Sequence, residues 1–520
     1  MKSCMSCNDT NRRNLIMKKI ITTCLLCMVL VFTLSAQAAS EASTKPAHRT
    51  LVLGLEKEPA TLNSHANAEN IVLQMGHLYA GFLTSLNPQN GGPILPAVAS
   101  SWKYISEKEL AIQLREDVYF HNGRKLTADD IVFTFNWTMD QKNASIRRTN
   151  FIAFFDKAVK TGEYSVTLHL KSPNPSLLEL LAYLPIVAED TVGTLDTAPI
   201  GCGPFKFVRW DATQQIVFEP YEKYYDYESI QFDELICRPF QDYNAAMTAF
   251  FANEVDIMLF LNTSDIPAIT SRGSKYCVQS ISDMGNYVSC NTAKEKLANP
   301  KVREAIKYAI DKKELIDLLQ SGVGLPISQM YAPSNMYYVP SLDWDKDLPR
   351  AKKALVDAGY PNGLDIEILT PNTSARVSLA TILKEQLEKV GFRVTINVQE
   401  NAAMFELFNA GKADLAVGGF GFYADPSFRT MFISSTANSN WRRYGYNDKE
   451  YNDLYMEGLS ATDTARRKEI YARMAEKAID EAGFFMLFSS TSNCAVRSDI
   501  EGLVYRGSGN SDFTRITFKK

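Results

Sequence analysis

Residues Leu415 to Phe428 read Leu-Ala-Val-Gly-Gly-Phe-Gly-Phe-Tyr-Ala-Asp-Pro-Ser-Phe, and they bring three glycines, several aromatics and one acid into a single short stretch. Glycine lets main chain approach another group closely, large rings give apolar walls, and one shielded carboxylate fixes the orientation of a cationic group. On that reading Phe420, Phe422 and Tyr423 are candidate walls and Asp425 is the candidate charge of a ligand pocket. The same composition also suits a glycine-rich strand-to-loop turn whose rings cap the core, and the residues alone leave both readings open.

Chemistry of other kinds finds little purchase. The chain contains no H-E-x-x-H, no G-x-S-x-G and no phosphate-binding loop, and its five histidines (His48, His65, His77, His121, His169) show no metal-ligand spacing. His65 and His77 could meet in space, and His121 sits in a turn, His121-Asn122-Gly123, where histidines are mostly hydrogen-bonding scaffold. Tyr224-Tyr225-Asp226-Tyr227 and Tyr337-Tyr338 offer rings for stacking or for packing at lobe edges. No nucleophile–base pair stands out, so the expectation is a non-enzymatic protein without a cofactor.

The N-terminus differs from the rest. Lys18 and Lys19 precede an uninterrupted run of 15 mostly apolar residues, Ile20 to Leu34, and Ala36-Gln37-Ala38 supplies small residues for cleavage. Residues 1–38 therefore read as an export signal cleaved near Ala38, too short for a comfortable membrane span. Met17 heads a conventional signal by itself, which makes residues 1–16 a mis-assigned start, while Arg12-Arg13 leaves a twin-arginine route open. No small-residue-Cys lipobox ends the signal, favouring a soluble periplasmic protein. Removal of five basic residues and one acid takes the formal charge from −4 to −8, which argues against nucleic acid or an anionic lipid surface as partner. Of nine cysteines, Cys4, Cys7, Cys24 and Cys27 would leave with the signal. Cys202, Cys237, Cys277, Cys290 and Cys494 remain, an odd set in which one or two disulfides could form, Cys277 and Cys290 being nearest in sequence.

The elements that must position these groups follow from local pattern. At 520 residues, with 46% hydrophobic and 22% charged content, the chain exceeds what one core serves and predicts at least two lobes. Leu51 to Leu53 opens as a strand, Leu110 to Leu114 alternates as a half-buried strand, and Thr127-Ala128-Asp129-Asp130 is a capping box for a helix through Trp137. Asn299-Pro300 starts another helix, and Asp311 to Glu314 reads as a second capping box. From Arg350 onward helices and strands alternate: helix to Ala358, strand Asp365 to Leu369, helix Ser378 to Val390, strand Arg393 to Val398, helix near Met404 to Asn409, helix Ala465 to Asp480, then the strand-like Phe484 to Phe488. That alternation predicts a mixed α/β sheet wrapped by helices.

The order of these signals resembles the extracytoplasmic solute-binding proteins of ABC importers, in their peptide/nickel (dipeptide and oligopeptide) class. The similarity is carried by Leu95-Pro96-Ala97-Val98-Ala99-Ser100-Ser101-Trp102, by Leu114 to Phe133, by Pro199 to Phe205, by Val302 to Asp311 and by Ala358 to Gly363. The resemblance implies a two-lobed α/β periplasmic binding protein fold with mixed sheets and two crossover hinge strands. Lobe I would hold 49–288 and 485–520, with an extra subdomain at about 84–200, and lobe II 289–484. It also implies a monomer that traps a peptide or other small-molecule ligand between closing lobes and delivers it to a permease and ATPase complex, with no nucleic-acid partner. A chelated metal such as nickel, or haem, is the alternative cargo, and a secreted hydrolase on the same scaffold is the alternative of another class. Peptide-binding members carry an aspartate in the loop matching Leu415 to Phe428 that pairs with the ligand's α-amino group, a role this implies for Asp425. That loop often carries two acids, whereas here Phe422 falls near the place of the second; if Asp425 is only the loop's structural Asp-Pro, the ligand lacks a free amine.

Overall fold

The structure, a computed structural model, describes residues 49–87, 92–152, 154–174, 176–423, 425–435, 445–461, 463–507 and 509–519. The export signal expected at 1–38 lies outside them.

Two long antiparallel strands, Tyr276–Cys290 and Phe484–Arg497, organise the molecule. The second reads Phe-Phe-Met-Leu-Phe, then Ser-Ser-Thr-Ser-Asn, then Cys-Ala-Val-Arg, apolar at both ends and polar in the middle. Side chains alternate across the pleat, so Phe485 and Leu487 enter one core of the second lobe while Phe484 and Met486 enter another. At the far end Cys494 and Val496 join the core of the first lobe and Ala495 a smaller neighbouring one. Each fully buried side chain of this kind contributes about 1.5–3 kcal/mol, so both ends are anchored and the polar centre is left to bridge them. The register slips between Ser282 and Met284, a bulge that bends the ribbon at that centre.

On one side of this pair lie Leu415–Gly421, Leu364–Pro371 and Phe392–Gln399, mutually parallel and joined through helices. On the other lie Ile257–Met258, Thr50–Leu55 and Glu234–Pro239, also parallel, followed by antiparallel Gln215–Pro220 and Phe205–Asp211. The mixed α/β, two-lobed architecture with two crossover strands is thus the observed one. A separate four-stranded antiparallel sheet (Ala99–Ser106, Glu109–Leu114, Ser165–Leu170, Phe155–Gly162) carries the helix Ala128–Met139 and closes its own core between Leu83 and Cys202.

The capping box at Thr127 forms, with the Asp130 carboxylate accepting from the Thr127 amide at 2.9 Å. The one expected at Asp311 forms only by half. Asp311 accepts from the Glu314 amide at 3.0 Å, but the Asp311 amide donates to Gln386, whose own amide donates to Glu314. The neighbouring helix Ser374–Glu388 supplies the reciprocal arm, a tertiary substitution that local pattern does not encode.

All five described cysteines are free thiols, four of them buried and Cys277 exposed. The disulfide considered between Cys277 and Cys290 is absent for a simple reason. They stand at opposite ends of one extended strand, roughly 40 Å apart at about 3.3 Å per residue, far beyond disulfide reach.

Candidate functional site

The strand Leu415–Gly421 leaves the second lobe with Leu415 and Val417 on one face and Ala416 and Phe420 on the other, each in a different core. Its glycines meet neighbouring side chains of the protein. A Cβ at residue 418 would overlap the Tyr287 hydroxyl, and one at 419 would overlap the guanidinium of Arg376, which donates to Asn286 Oδ1 at 2.6 Å and to the Gly418 carbonyl at 3.0 Å. Phe420 is buried, stacked on Phe432 and Phe484, whereas Phe422 and Tyr423 are half-buried and lie farther along the chain.

Asp425 is fully engaged within the chain. Its Oδ2 accepts from Arg467 Nη2 at 2.6 Å and its Oδ1 from the Ser427 amide at 2.9 Å, a local turn that starts the short helix Ser427–Thr430. Arg467 also donates to the Tyr337 and Tyr471 hydroxyls and to the carbonyls of Gly458 and Ala461. Burial works most strongly against the Arg467 charge, and the Asp425 carboxylate together with Tyr471 and Tyr337 outweighs it, leaving the guanidinium with a raised pKa.

The loop reaches across to the segment 176–181, which packs in the core of the separate four-stranded sheet. The Asp425 amide donates to Glu179 Oε2 at 2.9 Å, and the buried hydroxyls of Ser176 and Ser427 lie 2.9 Å apart. Arg429 runs back over the loop: Nε and Nη2 donate to the Gly421 carbonyl, and the guanidinium lies 4.6 Å from the Phe420 ring centre and 4.7 Å from that of Tyr423. Burial lowers its pKa to about 10. Beside the polar centre of the crossover strands lies a cavity of about 330 Å³, bordered by Glu56, Asn70, Gln74, Thr491, Asn493 and Arg506. Thr491 Oγ1 and Asn493 Oδ1 are buried there without a hydrogen-bond partner among the described residues. Sequence reasoning missed this cavity. Its signal was the run Ser489 to Asn493, polar residues inside what is otherwise an apolar strand.

His65 and His121 are scaffold. His65 bonds Ser145 Oγ and the Pro185 carbonyl, each at 3.1 Å, and His121 Nε2 bonds the Gly203 carbonyl at 3.1 Å. His77 is stacked on Phe82. Among the described residues no cluster of three or more His, Cys, Asp or Glu side chains could hold a metal ion.

Comparison with known proteins agrees with this architecture. Residues 93–441 match the family described as bacterial extracellular solute-binding proteins, family 5. The oligopeptide-binding protein AppA of Bacillus subtilis (strain 168) is 24% identical over 521 residues, covering 92% of this chain and 94% of that one. Heme-binding protein A of Haemophilus influenzae is also 24% identical, covering 81% of this chain and 83% of its own. The solved structure of HbpA2 from Haemophilus parasuis superposes with a TM-score of 0.83 at 22% identity, over 91% of this chain and 100% of that one.

Proposed function

We propose that this chain, which belongs to the family-5 bacterial extracellular solute-binding proteins, captures a peptide-like solute between its lobes and delivers it to the permease and ATPase subunits of an ABC importer. It acts outside the cytoplasm after loss of residues 1–38, as a monomer and without catalysis. The observation that carries the reading is the pair of contacts across the cleft, Ser176 to Ser427 and Glu179 to the Asp425 amide. They join the loop at Asp425 and Ser427 to residues 176 and 179, while Phe422 is half-buried against the core beside Gly285 and Tyr423 is half-buried next to it in the chain. Closure of this kind is driven by whatever the solute gains in the closed form over the open one. The peptide character of the cargo is supported by the relative named oligopeptide-binding protein.

Within this reading the role of Asp425 shifts. Asp425, paired with Arg467 and with the Ser427 amide, fixes the loop that carries Tyr423 and Arg429, and a solute amine there would compete with the Arg467 guanidinium for the same carboxylate. Phe420 supports the wall from behind, and Phe422 and Tyr423 form it.

Native mass spectrometry of protein purified from its host without refolding tests the assignment. The expected result is a bound mass resolvable into amino acids. An iron porphyrin, the reading favoured by the relative named heme-binding protein A, or a nickel complex would replace it.

A further inference from the structure

The cavity of about 330 Å³ beside the polar centre of the crossover strands lies at the carboxyl ends of two parallel strands. Leu55 and Glu56 border it where Thr50–Leu55 stops, and Leu259 to Thr263 border it just past Ile257–Met258. Carboxyl ends of strands are where α/β sheets gather their ligands. Thr491 to Asn493, from the strand Phe484–Arg497, form another part of the border, and Asn70, Gln74 and the stretch around Arg506 complete it.

Donors at this border go largely to the protein itself. The Asn70 amide donates to the Gly507 carbonyl at 3.0 Å, that of Gln74 to the Ser511 carbonyl at 3.0 Å, and the Tyr505 hydroxyl to the Leu259 carbonyl at 3.3 Å. Asn493 Nδ2 donates to Thr263 Oγ1 at 3.2 Å and to the Thr491 carbonyl at 3.4 Å, which leaves Oδ1 as that side chain's acceptor. The two Nη atoms of Arg506 donate to the carbonyls of Asn510 and Leu86 at 3.1 and 3.0 Å, and both of those residues border a second cavity of about 110 Å³. The guanidinium is thus drawn toward that second cavity.

Oxygens are left over. Asn493 is only 3% exposed, and its Oδ1 and Thr491 Oγ1 are buried without a hydrogen-bond partner among the described residues. Glu56 is the one acid at the border, and no described residue pairs with its carboxylate; the adjacent Lys57 is held by Glu69 at 2.7 Å instead. A buried acceptor without a partner costs free energy, which a donor entering the cavity recovers. An ammonium brings three N–H donors and a charge, and this border offers two neutral acceptors and one carboxylate. The carboxylate also supplies the counter-charge without which a desolvated ammonium is costly.

We propose that Glu56, Asn493 and Thr491 form an ammonium subsite in this cavity, so that the solute carries a free amine that is received here and not at Asp425. A structural Asp425 and a free-amine ligand are then compatible. The proposal rests on the peptide reading above for the amine being that of a peptide, and on the cavity alone for the amine itself.

Isothermal titration of the ligand-free protein with Ala-Ala-Ala, N-acetyl-Ala-Ala-Ala and cadaverine tests both parts. Ala-Ala-Ala should bind at least about tenfold more tightly than its acetylated form. Glu56→Gln should abolish that difference without altering the melting temperature, since Glu56 is exposed and unpaired among the described residues, and Glu56→Asp should restore part of it. Thr491→Val, which keeps the shape and removes an acceptor, should weaken Ala-Ala-Ala and leave the acetylated peptide unaffected. Acetylated peptide bound as tightly as the free one, or a difference that survives in Glu56→Gln, would overturn the subsite and leave the peptide reading standing. Glu56-dependent binding of cadaverine while neither peptide binds would uphold the subsite and overturn the peptide reading. If none of the three binds, the subsite falls.

Discussion

Arg467 Nη2 lies 2.6 Å from Asp425 Oδ2, and the two side chains are only 6% and 12% exposed. Removing one partner of a buried pair leaves the other charge stranded, which costs about 3–5 kcal/mol. Asp425→Asn should therefore lower the unfolding free energy by that order. Asp425→Asn combined with Arg467→Met should recover part of the loss, the signature of coupled neighbours in a double-mutant cycle. Chemical denaturation of the single and double variants checks this. If Asp425 served a ligand amine instead, Asp425→Asn would keep the stability and lose free-amine peptide affinity by well over about tenfold, since a charge-assisted bond would be lost.

Gly418 and Gly419 separate packing from recognition. Alanine at 418 would collide with Tyr287, which is buried in the second lobe, so Gly418→Ala should destabilise by about 1–3 kcal/mol as overpacking does. Alanine at 419 would meet only the end of the flexible Arg376 side chain. Gly419→Ala should leave the melting temperature nearly unchanged while displacing Arg376 from Asn286 and weakening solute binding. Paired thermal melts and titrations of the two variants read out the contrast.

How much of this was written in the sequence varies with the range of the interaction. The helices capped by Thr127 and Asn299 and the alternating elements from Arg350 onward stand where pattern placed them, because caps and periodicity are local. The strand-like Phe484 to Phe488 proved to be the first third of a 14-residue strand. Its polar continuation has no apolar alternation to read, since it crosses between lobes and buries no single face. In the loop at Asp425 the residue types were legible and their partners were not. Arg467 lies 42 positions away on the helix Thr464–Asp480, and nothing in its surroundings marks it as the counter-charge.

The thiols should behave as five independent groups. In folded protein lacking residues 1–38, only exposed Cys277 should react promptly with a thiol reagent, and all five should react once the chain is denatured. Burial also pushes the Cys202 and Cys290 thiols up to about 12, which suppresses the reactive thiolate. Thermal stability should be the same with and without reductant. A reductant-sensitive melt would reveal a bridge that the separation of Cys277 from Cys290 forbids within one chain.

Acid should weaken the first lobe before carboxylates are protonated, through buried imidazoles. Burial is the largest influence on each of them, lowering His65 and His121 to about 4 and His77 to about 3. Carbonyl oxygens can only accept, so His65 Nε2 must carry a proton toward Pro185 and His121 Nε2 one toward Gly203. Nδ1 of His65 then accepts from Ser145 Oγ, and Nδ1 of His121 accepts from the Gly201 amide at 3.4 Å. Both rings are neutral in the folded chain, whereas in the unfolded chain they protonate below about 6.5. Between that value and about 4 the unfolded state binds protons the folded state refuses, so stability is full above pH 6.5 and falls as the pH drops through this window. Each such histidine accounts for a loss on the order of 3 kcal/mol across it, at 1.36 kcal/mol per pKa unit. Proton NMR of the ring C–H signals should show His65 and His121 not titrating from pH 8 to 5, with urea midpoints declining over the same interval. His65→Gln, which keeps a donor and an acceptor without an ionisable group, should flatten that decline. His65 or His121 titrating near 6.5 in the folded protein would show that these rings are solvated and that the acid sensitivity has another source.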